Sequence, residues 1–212
     1  MFIHMIKDIQ NSLKVLKKGG MILYPTDTIW GIGCDATNPE AVDQIFRIKK
    51  RSDTKSLLVL LDNPERLSDY VKEIPEIAWD LIKVSDQPLT IVYPGGINLA
   101  SNILHSDGSV GIRVTGDIFC KELIRQLGKP IISTSANISG EPSPSIFTDI
   151  SEKIKSSVDY IVKWRQDDTA RKTPSSVIKL GVKGEIDIIR SGYNSRILPD
   201  PDTEASILGF PA

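Results

Sequence analysis

The sequence predicts an α/β domain with a largely covered β-sheet, and three observations carry that expectation. Stretches with apolar residues at helical spacing alternate along the chain with short, continuous apolar runs. Those runs, such as residues 21–24 (MILY) and 56–61 (SLLVLL), are the kind that a sheet buried on both faces requires. The 212 residues suit one large domain.

Each element follows from its residues. Ile6, Ile9, Leu13 and Leu16 recur at helical spacing until Gly19-Gly20 stops the pattern. The run at 21–24 reads as a buried strand entering a loop at Pro25. Asn38-Pro39 is a helix start, with Val42, Ile45 and Phe46 on the buried face. Residues 56–61 are a second strand, and 64–70 and 75–84 are helices opened by proline. Residues 89–93 and 110–114 are strands. Asp117 caps a helix over 118–127, which Gly128 and Pro130 end. A strand over 130–134 leads into a loop, 149–156 is helical, and 160–162 is a strand. Residues 177–180 and 186–189 flank GVKG as a hairpin. The segment 193–212 lacks periodicity and reads as an irregular C-terminal tail, which leaves 1–192 as the folded domain.

Composition narrows the function. Hydrophobic residues make up 40% and charged residues 25%, as in ordinary soluble proteins. No apolar run approaches the roughly 18 residues of a membrane span, and residues 1–8 lack a secretory layout. Two cysteines cannot build a disulfide framework, so a cytoplasmic setting is expected. With 26 basic against 27 acidic residues the net charge is −1, which disfavours a protein built to grip nucleic acid. A small-molecule site is favoured instead.

The familiar chemical motifs are missing: no GxxxxGK[ST], no GxGxxG after a strand, no GxSxG. His4 and His105, the only histidines, fit no metal pattern. Three segments remain. In YPTDTIWGIGCDA (24–36), Thr26 and Thr28 stand two apart, so an extended chain would point both hydroxyls one way; a loop whose threonines bond backbone is the competing reading. In IKKRSDTKS (48–56), Lys49 and Arg51 have the same spacing where the helical pattern ends, and a lysine beside an arginine suits a phosphate. A solvated basic face is the alternative. In STSANISG (133–140), Ser133, Ser135 and Asn137 alternate at a strand end, where α/β sheets commonly bind ligands, although an ordinary Ser/Asn turn would look alike. Arg113 and Arg190 interrupt or close apolar strands, and a buried arginine needs an anionic partner.

YPTDT, the Lys-x-Arg of IKKR, GIRV, TSANISG, PSSV and IIRSG occur here in the order found in YrdC-like threonylcarbamoyl-adenylate synthases, over roughly residues 13–192. The chain resembles the short bacterial form of that family. The resemblance implies a twisted mixed sheet with helices on both faces and a concave, basic active-site face. It implies synthesis of threonylcarbamoyl-adenylate from L-threonine, bicarbonate and ATP, with pyrophosphate released and Mg²⁺ assisting, for modification of tRNA by downstream transfer proteins. By position, Lys49 and Arg51 would be catalytic; Arg51, Lys55, Ser109, Ser135, Asn137, Ser143 and Arg190 would contact ATP; Thr28, Arg113, Ser133 and Ser175 or Ser176 would contact threonine. No protein metal ligand and no membrane partner is implied, and tRNA contact would be weak. Leu60 stands where many relatives carry histidine, and Gln87 where glycine is usual. A paralogue that binds nucleotide or RNA without synthase activity is the alternative.

Overall fold

A computed structural model describes residues 2–50 and 57–192. Among them, one mixed sheet of nine strands organises the fold, in the order β7-β1-β2-β6-β3-β5-β4-β8-β9. Helix α1 (Phe2–Leu16) precedes the antiparallel pair β1 (Ile22–Tyr24) and β2 (Gly31–Gly33); α2 (Pro39–Lys49) leads towards β3 (Leu58–Leu61). Short helices α3 (Leu67–Tyr70) and α4 (Ile77–Val84) precede β4 (Leu89–Tyr93) and β5 (Val110–Val114). Helix α5 (Ile118–Leu127), β6 (Ile131–Ser135), α6 (Glu152–Lys155), β7 (Tyr160–Ile161) and the hairpin β8 (Ser176–Leu180) and β9 (Ile186–Arg190) complete it. The pairs β1–β7, β3–β5 and β4–β8 are parallel and the others antiparallel.

Local chemistry fixes the ends. Asn38 accepts from the amides of Glu40 and Ala41, with Pro39 at the first turn of α2. Asp117 accepts from the Cys120 amide at the start of α5, and Gly128 ends that helix in the left-handed region.

The period of two along the strands sorts residues onto two different surfaces. Val59, Leu61, Ile91, Tyr93, Val110, Ile112, Ile132 and Ile178 enter one core, together with Val42 and Ile45 of α2. On the opposite face, Ile22, Tyr24, Leu60 and Ile131 pack beneath α1 and α5. That cover reaches only half of the second face. Beyond Leu60 and Ile131, the same face of β6, β3, β5, β4 and β8 forms the floor of a cavity.

Several expectations change. Ile6 is exposed, and Met5 and Ile9 carry the buried side of α1. Strand β2 is unannounced in the sequence, because three residues of GIG show no apolar run. The helix expected over 149–156 divides into a 3-10 turn, Phe147–Asp149, and α6, which Ser151 caps anew. Strand β6 runs on to Ser135.

Candidate active site

The cavity encloses about 490 Å³, the size of a small-molecule site. Its floor consists of the alternate residues Ser133 and Ser135 on β6, Leu58 on β3, Gly111 and Arg113 on β5, Thr90 and Val92 on β4, and Val177 and Lys179 on β8. Thr28, Trp30 and Ser143 close one end, and Ser109, Asp107, His105 and Arg190 the other.

At its centre lies Arg113, 3% exposed, with one guanidinium nitrogen 3.1 Å from Asp27 Oδ1. Asp27 Oδ2 also accepts from Thr115 Oγ1 and the Gly116 amide, so the carboxylate ties the 25–28 loop to the end of β5. Arg113 Nε is buried with no hydrogen-bond partner. A buried guanidinium with a donor in reserve is prepared for an anion.

Thr28 and Ser133 are both buried beside it. Thr26 and Thr28 meet through a turn and not through an extended chain. Thr26 Oγ1 accepts from the Thr28 amide, donates to the Ile29 carbonyl, and lies 2.9 Å from Thr28 Oγ1. Because the proton of Thr26 goes to Ile29, Thr28 must donate to Thr26. Its oxygen is left as an acceptor towards the cavity.

Lys49 departs from the expected geometry. Helix α2 continues through Lys49, and Lys50 closes it at φ 49°, in the left-handed region. The Lys49 ammonium turns inward, 2% exposed, and donates to the Ser135 carbonyl at 2.7 Å, the Asn137 carbonyl at 2.6 Å and Asn137 Oδ1 at 3.0 Å. Ser135 Oγ in turn donates to Asn137 Oδ1. Lys49 thus braces the Ser-x-Asn turn through Ser135 and Asn137 without lining the cavity, while Ser133, Ser135 and Ser143 do line it. Arg51 and Lys55 lie outside the described residues.

Ser175 and Ser176 separate cleanly. Ser175 is buried on the cavity, its hydroxyl 2.8 Å from Thr90 Oγ1, whereas Ser176 Oγ accepts from the Gly192 amide away from it. Arg190 reaches the cavity, yet all of β9 is exposed and its guanidinium donates to the Ser175 carbonyl. Burial of the side chain, then the nearby Arg113, pushes the Arg190 pKa down. The anionic partner expected for a buried arginine therefore exists for Arg113 alone, as Asp27.

Lining residues that the sequence reading did not assign to the site include Trp30, Thr90, His105, Asp107 and Lys179. Asp27 was quoted only as part of a motif. Trp30 meets the Phe147 ring with centroids 4.9 Å apart. Among the described residues, no group of three acidic, histidine or cysteine side chains could hold a metal ion. No helix there is long and apolar enough to cross a membrane.

Known proteins resemble this chain in sequence and in fold. The family model Sua5_yciO_yrdC, described as telomere recombination, matches residues 14–192. The threonylcarbamoyl-AMP synthase of Hahella chejuensis is 34% identical over 154 residues, covering 72% of this chain and 83% of the relative. That of Pseudoalteromonas translucida is 30% identical over 181 residues, covering 84% and 95%. Among solved structures, P. abyssi Sua5 complexed with L-threonine is similar at a TM-score of 0.73 and 30% identity, with 81% of this chain matching 50% of that one. E. coli YciO gives a TM-score of 0.74 at 25% identity, covering 87% and 88%. With a family model spanning most of its length and its fold shared with these structures, the chain belongs to the Sua5/YciO/YrdC family.

Proposed function

We infer that this chain is a threonylcarbamoyl-AMP synthase acting in tRNA modification, with L-threonine and ATP among its substrates. The observation that carries this reading is the buried Arg113–Asp27 pair beside the hydroxyls of Thr28 and Ser133 in one cavity. An amino acid with a side-chain hydroxyl matches it. The substrate carboxylate takes the unused donors of Arg113, and its hydroxyl donates to Thr28, which is left as an acceptor. Ser133 and Ser175 complete the polar wall, and Ser176 is dropped from the set because it faces away.

The threonine amine and bicarbonate condense, with loss of water, to a carbamate, whose oxygen attacks the α-phosphate of ATP and displaces pyrophosphate. Charge develops on phosphate oxygens, where fixed cations and dipoles are most effective. Arg51 and Lys55 supply charge for the phosphates in this reading. Lys49 contributes its charge from below while it holds Ser135 and Asn137, and Ser109, Ser143 and Arg190 enclose the rest of the nucleotide. This gathering of cations is what would make the concave face basic. The described residues do not assemble a ligand set for Mg²⁺; the ion would come on the phosphates, and no step here runs through a protein–metal bond. Residues 1–192 are the catalytic unit in this reading, the cytoplasm is its setting, and downstream transfer proteins carry the threonylcarbamoyl group to tRNA.

The test incubates the pure protein with ATP, bicarbonate and either threonine or valine, following pyrophosphate and the adenylate by mass spectrometry. Threonine should be used at least about tenfold better, since valine leaves buried polar groups without a partner at about 1–3 kcal/mol each. Equal turnover of valine would remove the hydroxyl-reading pocket. No adenylate with threonine would remove the synthase reading.

A further inference from the structure

We propose that the Asp107–Lys179 pair, set in place by Ser109, reads the edge of the adenine base at the β8–β9 end of the cavity. The proposal rests on the reading above, in which the phosphates lie against the Ser135–Asn137 turn at the end of β6. Strand β8 lies four positions along the sheet from β6, roughly 19 Å at about 4.8 Å per strand. A nucleotide whose phosphates occupy the β6 end presents its base at the other, where Lys179, Asp107 and Ser109 line the wall.

The hydrogen-bonding capacity left on the pair has a definite pattern. Asp107 Oδ1 accepts from the Ser109 amide at 3.0 Å and the Ser109 hydroxyl at 2.5 Å, while Oδ2 accepts from Lys179 Nζ at 2.7 Å. Of about four lone-pair sites on a carboxylate, three are engaged and one is open. Of three ammonium donors on Lys179, two are open. Two donors beside one acceptor complement adenine, whose N1 and N7 acceptors flank the N6 amine. Guanine puts its O6 acceptor where adenine has the N6 donor, so O6 would face the Asp107 carboxylate, and it presents an N1–H donor where Lys179 would meet an acceptor in adenine.

The surroundings suit a base as well. Val92, Val177 and Ile189 offer aliphatic contact to a ring face at the same end. The Lys179 and Asp107 side chains are 41% and 51% exposed, so their open valences can be reached by a ligand. Bonding to Lys179 and then to Ser109 holds the Asp107 carboxyl far below its usual range, so it remains an acceptor at physiological pH. Of the other described cations on the cavity wall, Arg113 faces Asp27 and, in the reading above, the threonine carboxylate, and Arg190 donates to the Ser175 carbonyl.

Calorimetric binding to ATP, GTP, purine riboside triphosphate (which lacks the exocyclic amine) and inorganic tripolyphosphate tests this, for the unaltered protein, Asp107→Ala and Lys179→Met. Thermal unfolding confirms that each variant is folded. The unaltered protein should prefer ATP to purine riboside triphosphate by about tenfold, the loss expected for one unmade hydrogen bond to a charged group. It should also prefer ATP to GTP. Asp107→Ala should bring the purine riboside ratio to within twofold. Lys179→Met should weaken ATP about tenfold while leaving tripolyphosphate unchanged. If Lys179→Met weakens tripolyphosphate as much as ATP, the lysine serves phosphates and the base assignment is wrong. Ratios unmoved by Asp107→Ala also overturn it. If the unaltered protein binds no ATP, the nucleotide reading fails, and this proposal with it. If it binds ATP and still shows no preference for the amine, this proposal alone fails.

Discussion

Arg113 and Asp27 illustrate how one charged pair serves both stability and binding. A guanidinium at 3% exposure survives only because Asp27 compensates it. Asp27→Asn keeps the shape and removes the charge. It should lower stability by about 3 kcal/mol, as for other buried pairs that lose one partner, and weaken threonine binding more than ATP binding. Denaturant unfolding with separate titrations of the two ligands measures both; equal losses of the two affinities would mean that the pair is structural alone. The arginine was legible in the sequence, because a cation within the apolar strand VGIRV demands a partner. The partner was not, since nothing in the spacing of Asp27 and Arg113 says that the 25–28 loop folds onto the end of β5. Lys179 and Asp107 were hidden for the same reason, being 72 positions apart in sequence.

At the level of elements, the strongest local signals were the helix caps. Asn38 and Asp117 cap where their side chains and the following apolar pattern indicate. Asn38→Ala should cost about 1 kcal/mol. Lys50 carries a side chain in a left-handed position that favours glycine, so Lys50→Gly should stabilise by about 0.5–1 kcal/mol. Lys50 is exposed and does not line the cavity, so activity should stay level. Chemical unfolding alongside the pyrophosphate assay decides both; a loss of activity in Lys50→Gly would mean that the end of α2 is tuned for catalysis. Strand β2 was illegible for a physical reason. An added Cβ at Gly33 would stand 2.5 Å from the Ile132 carbonyl oxygen and 2.7 Å from the Tyr24 ring. Its residues are chosen for close approach to neighbours, and such a choice leaves no periodic trace.

Across the whole molecule, ionisable groups buried in their neutral form set the alkaline limit. Burial pushes the Tyr24, Tyr93, Cys34 and Cys120 pKa values up. Burial, and then the bond to Asp8, raises Tyr160 to about 12. Each group is neutral in the folded state and ionises more readily once unfolded. Their contribution is therefore complete below the unfolded values and is lost as pH rises through the folded ones. Melting temperature should hold to about pH 8 and fall progressively between about 9 and 12; a flat profile to pH 12 would mean that these side chains are more accessible than their burial indicates. The overall architecture was readable from alternating helical and apolar runs. The half-open face was not, because Ser133, Gly111 and Thr90 become a cavity floor only once the sheet order brings β6, β5 and β4 together.

The Lys49 ammonium, surrounded by oxygens of Ser135 and Asn137, occupies the place that a potassium ion would take in a coordination shell. An ion drawn from solution would fill such a shell according to its concentration, and the turn would loosen whenever the medium changed. A cation covalently tied to α2 cannot be diluted away. The serine–asparagine turn thus has its cation supplied by the chain itself, and its shape should not depend on which monovalent salt surrounds it.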